Sequence, residues 1–167
     1  MQASPKSVPD PVDNLEQVVN SLVSEHAGQI GALMPILHAV QEKLGYVPEA
    51  AIPLLASRLN LSRAEVHGVV HFYHDFRSEP SGKHLIQVCR AEACQAMGSV
   101  ALEQHIKQTL GLDYGQTTDD GQFTLQPVYC LGNCACTPSL RINDQVYARV
   151  TPRRFEQLLQ SLLEPVV

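Results

Sequence analysis

Five cysteines are the residues best equipped for chemistry, and all of them lie beyond position 88. Four form two close pairs, Cys89-x4-Cys94 and Cys130-x3-Cys134, and Cys136 is the fifth. In a reducing compartment such a set points to metal or redox chemistry and away from structural disulfides. Soft thiolates suit iron–sulfur clusters and zinc about equally, so spacing must help decide. Structural zinc sites commonly use tighter pairs. Wider loops can wrap a larger dinuclear core, and four converging thiolates match the all-cysteine ligation of a [2Fe–2S] centre. A thiol–disulfide oxidoreductase would normally present Cys-x-x-Cys, and that motif is absent. The plant-type ferredoxin run needs a further cysteine where Met97 stands. Cys136 is a possible substitute for Cys134 as ligand, and zinc stays open as a second metal.

His67, His71 and His74 recur at helical spacing beside Asp75, a pattern that can bind a metal. The plainer reading is a partly buried amphipathic helix that offers imidazoles to backbone or to a partner. No matching ligand cluster appears elsewhere in the chain. No general base and nucleophile pair stands out. Gly-x-Gly-x-x-Gly is absent, so a nicotinamide dinucleotide has no recognisable seat on this chain.

The cysteines must be positioned by the elements around them. His84 to Val88 reads as a buried strand running straight into Cys89, and Phe123 to Tyr129 as a second strand ending on Cys130. Both pairs then project from the same edge of a sheet, where ligands of open α/β sheets gather. A helix is expected from Ser99 to Leu110, closed by Gly111 and aiming its positive end at an anionic cluster. Gly132 and Gly98 allow sharp turns that bring N–H groups close to sulfur. Leu140–Ile142 and Val146–Ala148 flank the hairpin signal Asn143-Asp144. Thr151 and Pro152 open a last helix, and Pro165 follows its end. The order β-α-β-β-β-α fits a small α/β domain of the thioredoxin type.

The first half has a different grammar, helix after helix. Asp13 and Glu16 open a first helix with Leu15, Val18, Val19, Leu22 and Val23 as its apolar stripe. A second is expected from Ala32 to Leu44 with Gly45 as its stop, and a third from Pro48-Glu49 with Ile52, Leu55, Ala56 and Leu59 inward. Ser62 and Glu65 form a capping box that opens a fourth, running through Val66, Val69, Val70 and Tyr73. The expected organisation is a flexible N-terminus over 1–12, a small helical bundle for partner docking over 13–78, and the cysteine domain over 83–167. Arg77 to Gly82 forms the turn-rich linker.

Composition narrows the function classes. The chain has 167 residues, 44% of them hydrophobic and 17% charged, as expected of a globular protein. A net charge of −5 argues against nucleic acid as the main partner. Only 5% of residues are aromatic and Trp is absent, so a base- or sugar-stacking pocket is poorly supplied. No apolar run approaches the roughly 20 residues that span a bilayer. Met1 to Pro11 lacks the apolar core of a secretory signal, which gives a bacterial cytoplasmic location as the expectation.

Several motifs in order carry a family resemblance. Gly45-Tyr46-Val47-Pro48, Glu65-Val66-His67-Gly68-Val69, Phe72-Tyr73 and Pro80-x-Gly82-Lys83-His84-x-Ile86-Gln87-Val88-Cys89 resemble the small iron–sulfur subunit of complex I. The resemblance runs from about residue 30 to residue 164. It implies an N-terminal helical segment followed by a thioredoxin-like [2Fe–2S] ferredoxin domain, with one cluster on Cys89, Cys94, Cys130 and Cys134. The family pattern favours Cys134 over Cys136. Within the family, Cys89 to Cys94 and Cys130 to Cys136 look most like the gamma subunit of soluble, molybdenum-containing, NAD-dependent formate dehydrogenases. That implies a partner subunit holding FMN and NAD and, through it, a larger iron–sulfur and molybdenum subunit. The equivalent subunit of an NADH:quinone oxidoreductase or NAD-linked hydrogenase is the alternative, and a stand-alone thioredoxin-like ferredoxin a second. On each reading this chain is an electron carrier without a substrate-binding active site of its own.

Overall fold

A computed structural model describes residues 14–163. The chain divides after Pro80 into two compact units.

The first unit is helical: α1 Leu15–Glu25, α2 Leu33–Leu44, α3 Ala51–Leu59 and α4 Arg63–Phe72. Each helix buries one stripe: Leu15, Val19 and Leu22 from α1, Ile36, Leu37 and Val40 from α2, Ile52, Leu55 and Ala56 from α3, Val66 and Val70 from α4. Asn14 stands at the α1 cap position without a side-chain bond, and the expected cap Asp13 lies outside the described residues. Gly45 ends α2 in the left-handed conformation at φ 83°, where a side chain is disfavoured.

Tyr73 departs from the expected stripe. Helix α4 ends at Phe72, so Tyr73 turns out to be 45% exposed and Phe76 enters the core in its place. The buried amide of Gln41 fixes this exit, donating from Nε2 to the Asp75 carbonyl and accepting from the Arg77 N–H, each at 2.8 Å. The Arg77 guanidinium donates to the Gly45 carbonyl at 3.1–3.2 Å. These bonds satisfy backbone groups that the end of α4 would otherwise strand.

The capping box forms as the sequence indicates. The Glu65 N–H donates to Ser62 Oγ at 3.2 Å, and the Ser62 N–H donates back to Glu65 Oε2 at 2.7 Å. The Ser62 N–H and the Ser62 hydroxyl, which also donates to Glu65 Oε2 at 2.8 Å, hold the Glu65 carboxyl below the ordinary glutamate range. A carboxyl with a lowered folded-state pKa gives stability that is present above its unfolded pKa and lost as pH falls through the lowered one. Ser62→Ala is expected to cost about 1 kcal/mol near neutral pH. The bond from the Glu65 N–H to Ser62 Oγ does not titrate, so in denaturant titrations the gap between mutant and parent should narrow on acidification without closing.

The second unit is a mixed four-stranded sheet in the order β2-β1-β3-β4, with β1 His84–Cys89, β2 Phe123–Val128, β3 Leu140–Ile142 and β4 Gln145–Tyr147. Strand β1 pairs in parallel with β2 and antiparallel with β3. The parallel pairing needs a crossover, supplied by α5 Glu92–Ala96 and α6 Ser99–Leu110. Helix α7, Pro152–Leu163, follows the β3–β4 hairpin, and the Arg154 N–H donates to the capping Thr151 Oγ1 at 3.2 Å. Pro165 lies outside the described residues. Ile86, Val88, Leu102, Ile106, Leu125, Leu140 and Phe155 form this unit's core. At Gly82 a Cβ would come within 2.9 Å of the Gly121 carbonyl oxygen, so only glycine lets the chain pass there without displacement. Among the described residues no helix is long and apolar enough to cross a membrane.

Candidate metal centre

The register of β1 on β2 decides where the cysteines go. Cys89 pairs with Val128 in the last rung, and the Arg90 N–H donates to the Val128 carbonyl at 2.7 Å, extending the ladder by one bond. Tyr129 and Cys130 therefore leave β2 at the same end from which Arg90 leaves β1. Parallel pairing makes both cysteine arms emerge together, as strand-end placement implies.

The sulfurs fall into two pairs. Cys130 Sγ and Cys134 Sγ are 3.7 Å apart. Two thiolates on one tetrahedral metal at about 2.3 Å lie about 3.8 Å from each other. Cys94 lies close enough to Cys89 and Cys134 to feel both, and Cys134 feels Cys130 and Cys89. The four predicted residues are thus brought together. Cys89 and Cys94 are buried, Cys130 and Cys134 exposed. Burial, with the neighbouring thiols, pushes the Cys94 thiol up, and the Cys130 thiol does the same to Cys134. Four mutually repelling thiolates need cationic metal to be stable together, and two ferric ions would supply it.

Backbone donors reach the sulfurs. The Gly132 N–H donates to Cys130 Sγ at 3.3 Å, with Gly132 at φ 73°, the left-handed region that glycine enters freely. The Ser139 backbone N–H acts on Cys94 in the direction that favours its thiolate. Ser139 is a residue that sequence reasoning misses. It is buried, its carbonyl accepts from the Cys89 N–H at 3.1 Å, and its Oγ accepts from Asn133 Nδ2 and donates to the Cys136 carbonyl, each at 3.2 Å. Its place just before β3, the strand antiparallel to β1, is the only signal for it. The preceding Thr137–Pro138 peptide is cis.

One element is added to the sequence reading and one expectation is corrected. Cys94 lies at the third position of α5, a short helix inside the first cysteine loop that the sequence pattern does not announce. Helix α6 then starts at Ser99, where the sequence places it. The three histidines do not form one partly buried face. His67 and His71 are exposed and stack at 3.9 Å, and His74 lies beyond the end of α4. Among the described residues no group of three or more His, Cys, Asp or Glu is arranged around a single metal ion.

Cys136 is half-buried, and its backbone is occupied. Its N–H donates to the Asn133 carbonyl at 3.0 Å and its carbonyl accepts from the Arg149 N–H at 2.9 Å.

Comparison with known proteins agrees with this arrangement. A family model described as thioredoxin-like [2Fe–2S] ferredoxin matches residues 19–163. The chain belongs to that family. Its cofactor is a [2Fe–2S] cluster, and the paired thiols with their N–H donors fit one. An NADH-quinone oxidoreductase subunit of Pseudomonas aeruginosa is 39% identical over 130 residues, which cover 78% of this chain and 78% of that one. An NADH-quinone oxidoreductase subunit of Thermus thermophilus is 36% identical over 154 residues, 92% of this chain and 84% of that one. Among solved structures, an NAD+-reducing [NiFe]-hydrogenase in the H2-reduced state matches with a TM-score of 0.66 at 21% identity. That match covers 78% of this chain and 22% of the hydrogenase chain, and at this identity it speaks for the fold alone.

Proposed function

We propose that this chain is an iron–sulfur electron-transfer subunit of a multi-subunit complex that exchanges electrons with NADH or NAD+. Cys89, Cys94, Cys130 and Cys134 hold the cluster. A partner flavoprotein, on the cytoplasmic side, holds FMN and NAD. The observation that carries this reading is the pair of thiol arms at one end of two parallel strands in a chain 39% identical to an NADH-quinone oxidoreductase subunit. When bound, the cluster supplies one-electron chemistry beside a flavin that also handles hydride. The cysteines hold it, Gly132 donates a hydrogen bond to Cys130 Sγ, the Ser139 N–H favours the Cys94 thiolate, and exposed Cys130 and Cys134 keep one edge open to a partner.

The relatives favour an NADH-quinone oxidoreductase as the parent complex, with an NAD+-reducing hydrogenase as its close variant. Both stand ahead of formate dehydrogenase, which rests on the Cys89–Cys94 and Cys130–Cys136 segments alone. Anaerobic purification of the chain with its native partners tests the proposal. Iron and sulfide in equal amounts and a rhombic EPR signal that appears with NADH when a flavoprotein co-purifies would support it. A colourless protein with stoichiometric zinc would overturn it. Reduction driven by formate would move the parent complex back to formate dehydrogenase.

A further inference from the structure

The second cysteine arm is gripped by one buried side chain. Ser139, 1% exposed and placed just before β3, uses a single Oγ twice: it accepts from Asn133 Nδ2 and donates to the Cys136 carbonyl, each at 3.2 Å. Asn133 directly precedes Cys134 and caps the short 3-10 turn Cys134–Cys136, which Cys136 closes. The hydroxyl therefore holds that turn at its cap and at its last residue. The Ser139 carbonyl also accepts from the Cys89 N–H at 3.1 Å. One residue thereby sets the second arm against the first.

The arm needs such a grip. Cys130 and Cys134 are exposed, and the loop between them bends at Gly132, where φ is 73° and no Cβ stiffens the backbone. The bonds from the Gly132 N–H to Cys130 Sγ and from the Cys136 N–H to the Asn133 carbonyl shape the loop from within, without tying it to the sheet. The Arg149 N–H anchors the far end of the turn through the Cys136 carbonyl at 2.9 Å. At the near end, beside Cys134, the Asn133 amide supplies the tie to Ser139. Exposed segments with few such ties open locally at little free-energy cost, and a ligand carried on one leaves its metal readily.

We propose that the Ser139 hydroxyl and the Asn133 amide form a positioning clamp that presets Cys134 as a cluster ligand and keeps this exposed ligand from swinging away once the cluster is bound. The inference rests on the cluster assignment above. A ligand fixed in advance gives up little conformational freedom on binding, which is how groups one step behind the ligands govern metal affinity. The clamp also reconciles two demands on this edge, which must stay open to a partner and still retain its iron. Its loss costs the fold little. In Ser139→Ala the Cys136 carbonyl keeps the Arg149 N–H, and half-buried Asn133 can turn its amide to water.

The test compares the full-length holoprotein with Ser139→Ala, Asn133→Ala, the double variant and Phe155→Ala, whose buried ring takes no part in the clamp. Bleaching under excess iron chelator follows cluster release, urea unfolding gives stability, and visible circular dichroism reports how the thiolates are turned around the iron. Ser139→Ala and Asn133→Ala should each release the cluster about tenfold faster, the low end of what outer partners of metal sites contribute, and should alter the visible dichroism. The double variant should match Ser139→Ala, because the clamp is already open there. Phe155→Ala supplies the release rate expected from lost stability alone, and its intact fraction should keep the parental dichroism. Release in the clamp variants no faster than their urea stability accounts for on that scale, or effects that multiply in the double variant, overturns the proposal. If Ser139→Ala loads no cluster, Asn133→Ala decides, and a parental release rate there overturns it. A parent protein that loads no cluster sinks the cluster assignment instead.

Discussion

Cys134→Ser is expected to strip the chain of most of its iron and of its visible absorbance, while Cys136→Ser keeps both. The two residues stand two positions apart, but their surroundings differ. Cys134 Sγ is at 3.7 Å from Cys130 Sγ, the separation of two ligands on one tetrahedral iron. Cys136 is half-buried, with both of its backbone polar groups engaged by the Asn133 and Arg149 segments. Loss of an outer partner of a metal site already costs about 10–100-fold in affinity, and loss of a ligand costs at least as much. Iron and sulfide assays on anaerobically purified protein check this. Loss of the cluster in Cys136→Ser with retention in Cys134→Ser would reverse the assignment and place the second iron on a wider loop.

Phe155→Ala is expected to destabilise the second unit by about 3–5 kcal/mol. Phe155 is 0% exposed and is the largest fully buried side chain among the described residues. It carries the inner face of α7, and its ring meets His105 of α6 edge-on at 6.4 Å between centroids. Domains of this size are stable by only about 5–15 kcal/mol, so the loss removes a large fraction of the total. Near-UV circular dichroism in a urea titration should show it, with the cluster bleaching at correspondingly lower urea. A loss under about 1 kcal/mol would mean that α7 does not rest on this ring.

Much of the centre is legible in the sequence because it depends on local signals. The apolar runs His84–Val88 and Phe123–Tyr129 each end against a cysteine, and strand ends are where a sheet presents ligands. Helix stops at Gly45 and Gly111 and the box at Ser62 and Glu65 are equally readable, since capping is settled within one turn. What stays hidden depends on partners distant in sequence. Ser139 has an ordinary side chain, and only the antiparallel pairing of β3 with β1 brings it to the first cysteine arm. Arg90 carries no local signal of its ion pair, and only the fold sets Glu103 beside it. Helical periodicity puts Tyr73 in the core only when it is carried one residue past the end of α4, while Phe76 depends on the amide of Gln41. Helix α5, five residues long, is too short for periodicity to register.

The parallel pairing of β1 with β2 also bears on how the protein is made. The two halves of the cradle are separated by the whole α5–α6 crossover, so during synthesis the Cys89 arm emerges long before the Cys130 arm. Pairings of this kind are slow to form, because chain entropy is lost before any contact rewards it. A carrier that delivers a cluster too early meets two thiols instead of four. Delivery therefore belongs after β2 has docked, onto a finished cradle. The exposed edge formed by Cys130 and Cys134 is then the natural side of approach, with Cys89 and Cys94 closing the inner side.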